Sequence, residues 1–166
     1  MRFTQIDRIV ELEPDRRIVA VKTLSLSEEY LRDHFPRFPV MPGVLMLEAM
    51  YQAAAWLILK SEDFAHALVV LKEARNVKYA GFVEPGRTLT VRAEIQKQDK
   101  QTTSLKASAM LEGGERDAVS ARLVLERFNL QERYPQRGLQ DDYVRRELRK
   151  MFSVLYQPLE TPTTTL

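Results

Sequence analysis

Apolar and polar residues alternate along much of the first 130 positions, the mark of strands with one buried face. The alternation is cleanest in Thr88–Gln96, where Leu89, Val91, Ala93 and Ile95 point one way and Thr88, Thr90, Arg92, Glu94 and Gln96 the other. Leu105, Ala107, Ala109 and Leu111 repeat it, and so do Val119, Ala121, Leu123 and Leu125. Short, turn-rich connections, Gln98-Asp99-Lys100 and Gly113-Gly114, join these three segments and predict an antiparallel meander. Phe3–Leu12 and Arg16–Leu24 read as two more strands divided by the turn signal Glu13-Pro14-Asp15. The apolar run Ala67–Leu71 opens a further buried strand that reaches Tyr79.

Gly43 to Lys60 breaks this rhythm. Its Leu, Met, Glu, Ala and Gln residues favour a helix of roughly 27 Å. The segment is apolar on nearly all sides, which predicts burial rather than a surface position. One long buried helix among five or six antiparallel strands predicts an α+β domain, with the sheet wrapped around the helix. Beyond residue 130 the pattern changes again. Leu139, Tyr143, Val144, Leu148, Met151, Phe152 and Leu155 recur at helical spacing. Asp141 and Asp142 stand near the start and Arg149 and Lys150 near the end, as the helix dipole favours. Residues 1–130 therefore read as one domain. Residues 131–166 read as an amphipathic helix packed on the domain or on a partner, with a frayed end from Pro158. Arg145, Arg146, Arg149 and Lys150 read as that helix's solvated face.

Composition narrows the chemistry. The chain has no cysteine, which excludes disulfides, thiolate metal sites, iron–sulfur clusters and a cysteine nucleophile. With His34 and His66 its only histidines, a multi-histidine metal centre is implausible. A formal charge of +2 is too small to argue for nucleic acid. The first residues contain no apolar core of a signal peptide. The longest apolar stretch, Val44–Leu59, is short for a membrane span and is interrupted by Glu48 and Gln52. A soluble cytoplasmic chain is the expectation.

The candidate chemistry lies in Asp33–Gln52. Pro36, Pro39 and Pro42 each fix their backbone φ and stiffen the loop after His34. Gly43 then opens the helix, where a glycine permits close approach of a ligand to unpaired N–H groups. Glu48 and Gln52 lie four residues apart, on one face of the helix. A carboxyl group in an otherwise apolar helix is expensive to ionise, which keeps it protonated and able to donate. A rigidly held neutral imidazole is its natural complement. An acid, a base and a helix N-terminus together suit proton abstraction α to a carbonyl. Taken singly, His34 reads as a structural loop histidine, Glu48 as a half-exposed or arginine-paired carboxylate, and the prolines as a turn. Trp56 and the methionines read as core and His66 as a strand-entry residue.

The run His34-Phe35-Pro36-Arg37-Phe38-Pro39-Val40-Met41-Pro42-Gly43-Val44-Leu45, followed by Glu48-Ala49-Met50-Tyr51-Gln52, closely resembles the signature of the (3R)-hydroxyacyl-acyl carrier protein dehydratases of type II fatty acid synthesis. The 14-residue spacing of histidine and carboxylate fits that family. A looser likeness runs through Lys78–Gly86, and the whole covers about Met1–Phe128. The resemblance implies the hotdog fold, an antiparallel sheet curled around a central helix. It also implies a homodimer or a trimer of dimers, with the histidine and glutamate of each active site coming from different subunits. His34 would remove the α-proton of a 3-hydroxyacyl thioester and Glu48 would protonate the departing hydroxyl. The Gly43 N–H would hold the thioester carbonyl, the Val40 carbonyl would orient the imidazole, and Gln52 would position the carboxyl group or a water. The implied partner is acyl carrier protein. No metal or organic cofactor is implied, because the thioester itself acidifies the α-carbon.

Three features depart from the family. Arg37 stands where a small residue is common, so it would recruit an acidic carrier protein or narrow the entrance. Tyr51 replaces a smaller residue and resembles the related dehydratase/isomerase branch, which usually carries aspartate where this chain has Glu48. The C-terminal helix is extra. Two other readings stand beside dehydration. One is a hotdog acyl-thioesterase, although such enzymes generally lack the His-Phe-Pro run. The other is a non-catalytic acyl-binding or assembly subunit.

Overall fold

The structure, a computed structural model, describes residues 3–158. Its strands are β1 (Arg8–Glu13), β2 (Arg17–Thr23), β3 (Leu68–Tyr79), β4 (Thr88–Gln98), β5 (Thr102–Leu111) and β6 (Asp117–Phe128). They form one sheet in the order β1-β2-β4-β5-β6-β3, and every neighbouring pair is antiparallel. The alternation read from the sequence decides which face is buried. Leu89, Val91 and Ala93 of β4, Leu105, Ala107 and Ala109 of β5, and Val119, Ala121, Leu123 and Leu125 of β6 are all buried. Their polar neighbours face outward.

That buried face curls around α1 (Gly43–Ser61), whose Met46, Ala49, Met50, Ala53, Ala54, Leu57 and Ile58 fill the core. Each fully buried large aliphatic side chain there contributes about 1.5–3 kcal/mol. The far end of the helix is tied down by charge. Glu62 meets the buried Arg127 of β6 at 2.5 Å and His66 at 2.8 Å, and Arg127 also donates to Thr103 of β5. His66 thus belongs to a structural clasp.

Three expectations need correction. Phe3–Leu12 is not one strand: β1 begins at Arg8, because the Phe3 and Gln5 backbone groups are taken by the Gln52 side chain instead of a strand partner. Nor is α1 buried on all sides. The sheet covers only part of its circumference, so Val44 is exposed and Leu47, Glu48, Tyr51, Gln52 and Ala55 are half-buried.

The third concerns the C-terminal segment. A short helix α2 (Leu130–Arg133) and a 3₁₀ turn (Pro135–Arg137) lead into α3 (Gly138–Leu155). The apolar contacts to the core come chiefly from α3's second half, where Phe152 and Leu155 are buried and the Phe152 ring meets Trp56 and Phe64. Leu139 and Tyr143 remain exposed. Of the basic residues expected on the solvated face, Arg146, Arg149 and Lys150 are exposed, but Arg145 is half-buried and donates to the Ala65 carbonyl and to Asn129; exposed Arg149 also donates to the Asp63 carbonyl. The frayed end expected from Pro158 lies, past that residue, outside the described residues.

Asp141 is fully buried and accepts from the N–H groups of Leu130 and Gln131, joining α3 to the first turn of α2. Asp141→Ala leaves those donors without their acceptor and is expected to cost about 2 kcal/mol in urea unfolding; an unchanged midpoint would contradict this role. In the β4–β5 turn, Asp99 accepts from the backbone and hydroxyl of Thr102 and from the Gln101 N–H, which lower its pKa to about 2. The folded value lies below the ordinary 3.8, so this contribution is present above that pH and is lost as pH falls toward about 2. Asp99→Asn should therefore flatten the acid limb of the stability–pH curve, and an unaltered limb would count against it.

Candidate active site

The connection from β2 to α1 is fixed at several points. Lys22 is buried and pairs with Glu28 at 2.6 Å and with Asp7 at 3.5 Å. Leu31, in a 3₁₀ turn (Glu29–Arg32), is buried in the core. The chain then reverses at Phe35, whose φ of 50° lies in the left-handed region that non-glycine residues rarely adopt. The Phe38 N–H closes this reversal onto the Phe35 carbonyl at 2.8 Å. Further on, the Met41 N–H bonds the Val83 carbonyl, and Val40 and Met41 are buried. His34 is carried, half-buried, on this braced loop with its ring against Phe35.

Pro42 precedes the first turn of α1, whose leading N–H groups have no partner within the helix and carry the positive end of its dipole. At Gly43 a side chain would meet a neighbour at once, since a Cβ would lie 3.0 Å from the Tyr79 ring. Tyr79 at the end of β3 therefore packs on the helix tip. Beside it, Phe38 and Phe82 meet edge to face at 5.8 Å. This aromatic rim was not singled out from the sequence, although Tyr79 and Phe82 fall within the Lys78–Gly86 stretch of looser family likeness.

Glu48 is half-buried rather than enclosed, and its carboxylate accepts from the Gln52 amide at 2.8 Å. The same amide nitrogen donates to the Phe3 carbonyl, and the Gln52 oxygen accepts from the Gln5 N–H at 2.8 Å. Gln52 thus fixes one side of the carboxyl group and the N-terminal segment together. Tyr51 donates its hydroxyl to the Val69 carbonyl at 2.7 Å. Burial, then the nearby Glu48, raises its pKa, so it stays a neutral phenol. With that proton committed, the Tyr51 ring acts as a wall.

The structure joins Glu48, Gln52 and Tyr51 on one side of α1 and sets Gly43 at its tip. It does not join His34 to Glu48 by a hydrogen bond. Among the described residues, the His34 ring makes no hydrogen bond, to the Val40 carbonyl or elsewhere, and Arg37 is exposed without an ion pair. No cluster of acidic or histidine residues that could hold a metal ion occurs among them. No helix among them is long and apolar enough to cross a membrane.

A sheet curled around a helix, with a histidine loop leading to the helix tip and a carboxyl group farther along, defines a hotdog-fold protein. The FabA-like domain matches residues 1–122, and the chain belongs to that family. A 3-hydroxyacyl-[acyl-carrier-protein] dehydratase FabZ from Levilactobacillus brevis is 40% identical over 118 residues, 71% of this chain and 78% of the relative. The protein of the same name from Ruminiclostridium cellulolyticum is 39% identical over 111 residues, 67% of this chain and 78% of its own. Among solved structures, the dehydratase heterocomplex ApeI:P from Xenorhabdus doucetiae superposes with a TM-score of 0.64 at 20% identity, covering 81% of this chain and 90% of that one. The smu.793 protein of Streptococcus mutans, solved with acetyl CoA, superposes with a TM-score of 0.59 at 12% identity, covering 76% and 91%. At these identities the two structures establish the fold alone.

Gln52→Leu removes the bonds to Phe3, Gln5 and Glu48 together. It is expected to lower stability by about 1–3 kcal/mol and to speed hydrogen exchange at the Gln5 amide. Wild-type exchange at that amide would show that Gln52 does not hold the segment.

Proposed function

We propose that this protein dehydrates (3R)-3-hydroxyacyl thioesters carried on acyl carrier protein, giving trans-2-enoyl thioesters and water. The observation that carries the reading is the Glu48 carboxyl group, held by Gln52 on a helix whose open tip follows the proline-braced loop of His34. The FabZ relatives support it by their name at about 40% identity.

In the reaction His34 takes the α-proton. The electron pair of that C–H bond forms the new double bond as the bond from C3 to oxygen breaks, and Glu48 supplies the proton that turns the departing hydroxyl into water. His34 is left protonated and Glu48 ionised, and return of the proton from one to the other resets the site. The Gly43 N–H, at the positive end of α1, stabilises the charge that develops on the thioester oxygen. The thioester acidifies the α-carbon, so the reading needs no cofactor.

His34 and Glu48 meet, on this reading, between copies of the chain, in a homodimer or a trimer of dimers. Two surfaces support such assembly. β3 is an edge strand of twelve residues, with backbone groups along one side free to pair. Nearby, Val44, Phe35, Phe38, Tyr79 and Phe82 expose apolar surface around the helix tip. For the Val40 carbonyl to orient the His34 imidazole, the ring has to turn from its place against Phe35 when the copies assemble; Arg37 presents a cation to an acidic carrier protein at the entrance. Residues 1–130 form the catalytic domain, working in the cytoplasm.

The test supplies a 3-hydroxyacyl thioester and follows enoyl absorbance and free thiol together. His34→Ala and Glu48→Gln are each expected to lower turnover by at least roughly a hundredfold without changing the unfolding midpoint. Thiol release without enoyl product, or near wild-type rates in both variants, would overturn the reading.

A further inference from the structure

A groove of about 340 Å³ opens on the side of α1 that the sheet leaves bare. Its size suits a small ligand or an alkyl chain. It is lined by Tyr51, Ala55, Trp56 and Leu59 of α1 and by Leu68 and Val69 at the start of β3. From α3 come Val144, Leu148 and Met151. These three residues lie beyond the FabA-like match, which ends at residue 122. The groove is therefore partly built by a segment beyond the family match.

Two observations say what fills it. The first is continuity with the acid: Gln52 lines the groove and donates to Glu48, so the groove starts one helical turn from that carboxyl group. From Tyr51 to Leu59 it follows about 12 Å of helix axis. The second is its chemistry. The Tyr51 hydroxyl is committed to the Val69 carbonyl and the Gln52 amide to Glu48 and Phe3, so apart from the Thr4 hydroxyl the lining is chiefly hydrocarbon and aromatic ring. A polar ligand would leave its own groups unpaired there, whereas an unbranched alkyl chain needs no partner.

The groove is where the dehydratase reading seats the acyl chain of the substrate; we propose that α3, chiefly through Leu148, sets the chain length the enzyme accepts. The inference rests on the dehydratase reading above and adds a specificity wall to it. Trp56, the only tryptophan in the chain, lines the groove, so it reports occupancy without turnover.

The experiment uses the full chain and two readouts. Trp56 emission is followed while butanoyl and dodecanoyl thioesters of N-acetylcysteamine, which lack the 3-hydroxyl, are added. Separately, kcat/KM is measured for 3-hydroxyacyl thioesters of matching lengths, with wild type, Leu148→Phe and Leu148→Ala. The dodecanoyl compound is expected to change Trp56 emission and the butanoyl compound to leave it nearly constant. Leu148→Phe should lower the long-to-short ratio of kcat/KM by roughly tenfold, and Leu148→Ala, which empties space and so guards against a packing artefact, should raise it. Dehydration with a flat Trp56 response and an unchanged ratio in both variants overturns this proposal and leaves the dehydratase reading standing. A chain-length-dependent Trp56 response that Leu148 alters, without enoyl product from any thioester, overturns the catalytic reading instead. Trp56 emission that follows protein concentration and ignores the thioesters means that a second copy fills the groove, which also overturns the proposal.

Discussion

One helix buried against one curved sheet is the constraint on which the rest of this molecule depends. Hydrophobic burial holds α1 inside the sheet, but a sheet can cover only part of a helix's circumference. Whatever stands on the remaining face is held as firmly as the core and yet stays reachable. In this chain that face carries Glu48 and Gln52, with Tyr51 beside them. The carboxyl group gains its position from packing it does not itself contribute to, and the side-chain amide one turn later fixes its direction. In the proposed reaction an acid placed this way needs little reorganisation, which is where electrostatic catalysis draws its strength.

The same constraint explains the loop before the helix. The chain must leave β2 at the sheet's rim and enter α1 at its centre. It does so through a left-handed Phe35, three prolines and a backbone bond from Met41 to Val83. Such a path stores strain that the buried Leu31, Val40 and Met41 offset. The strained stretch delivers His34 to the approach to the helix tip, where Tyr79 and Gly43 are in contact. Strain, aromatic exposure and an open helix end thus occur together, away from the well-packed centre of the sheet.

Much of this was legible from residue order alone. Period-two alternation located β4, β5 and β6 because one face of each is fully buried, and the unbroken apolar run located α1. The conspicuous Asp33–Gln52 stretch located the candidate residues before any geometry was known. What escaped has a common cause, since side chains recruited by distant backbone leave no periodic trace. Gln52 takes the hydrogen-bonding groups of Phe3 and Gln5, and so a segment that alternates like a strand is not one. Arg145 looks like a solvent-facing helix residue until the loop after α1 offers it a carbonyl. Asp141 looks like a dipole partner for its own helix, but it caps the short helix before it. The exposed strip of α1 also escaped, because sequence hydrophobicity does not say how far around a helix its sheet will reach.

Inside a single chain, no hydrogen bond connects the histidine loop with the glutamate of α1, and the account makes the active site a joint product of two copies. Subunit complementation tests that most directly. Equal amounts of the His34→Ala and Glu48→Gln proteins, each inactive alone, are unfolded, mixed and refolded together, and enoyl formation is measured. The account predicts that dehydration returns in the mixture, because mixed assemblies regain one site with both side chains intact. If every mixture stays as inactive as its components while mixed assemblies are shown to form, His34 and Glu48 do not serve one substrate from two subunits and the account is wrong.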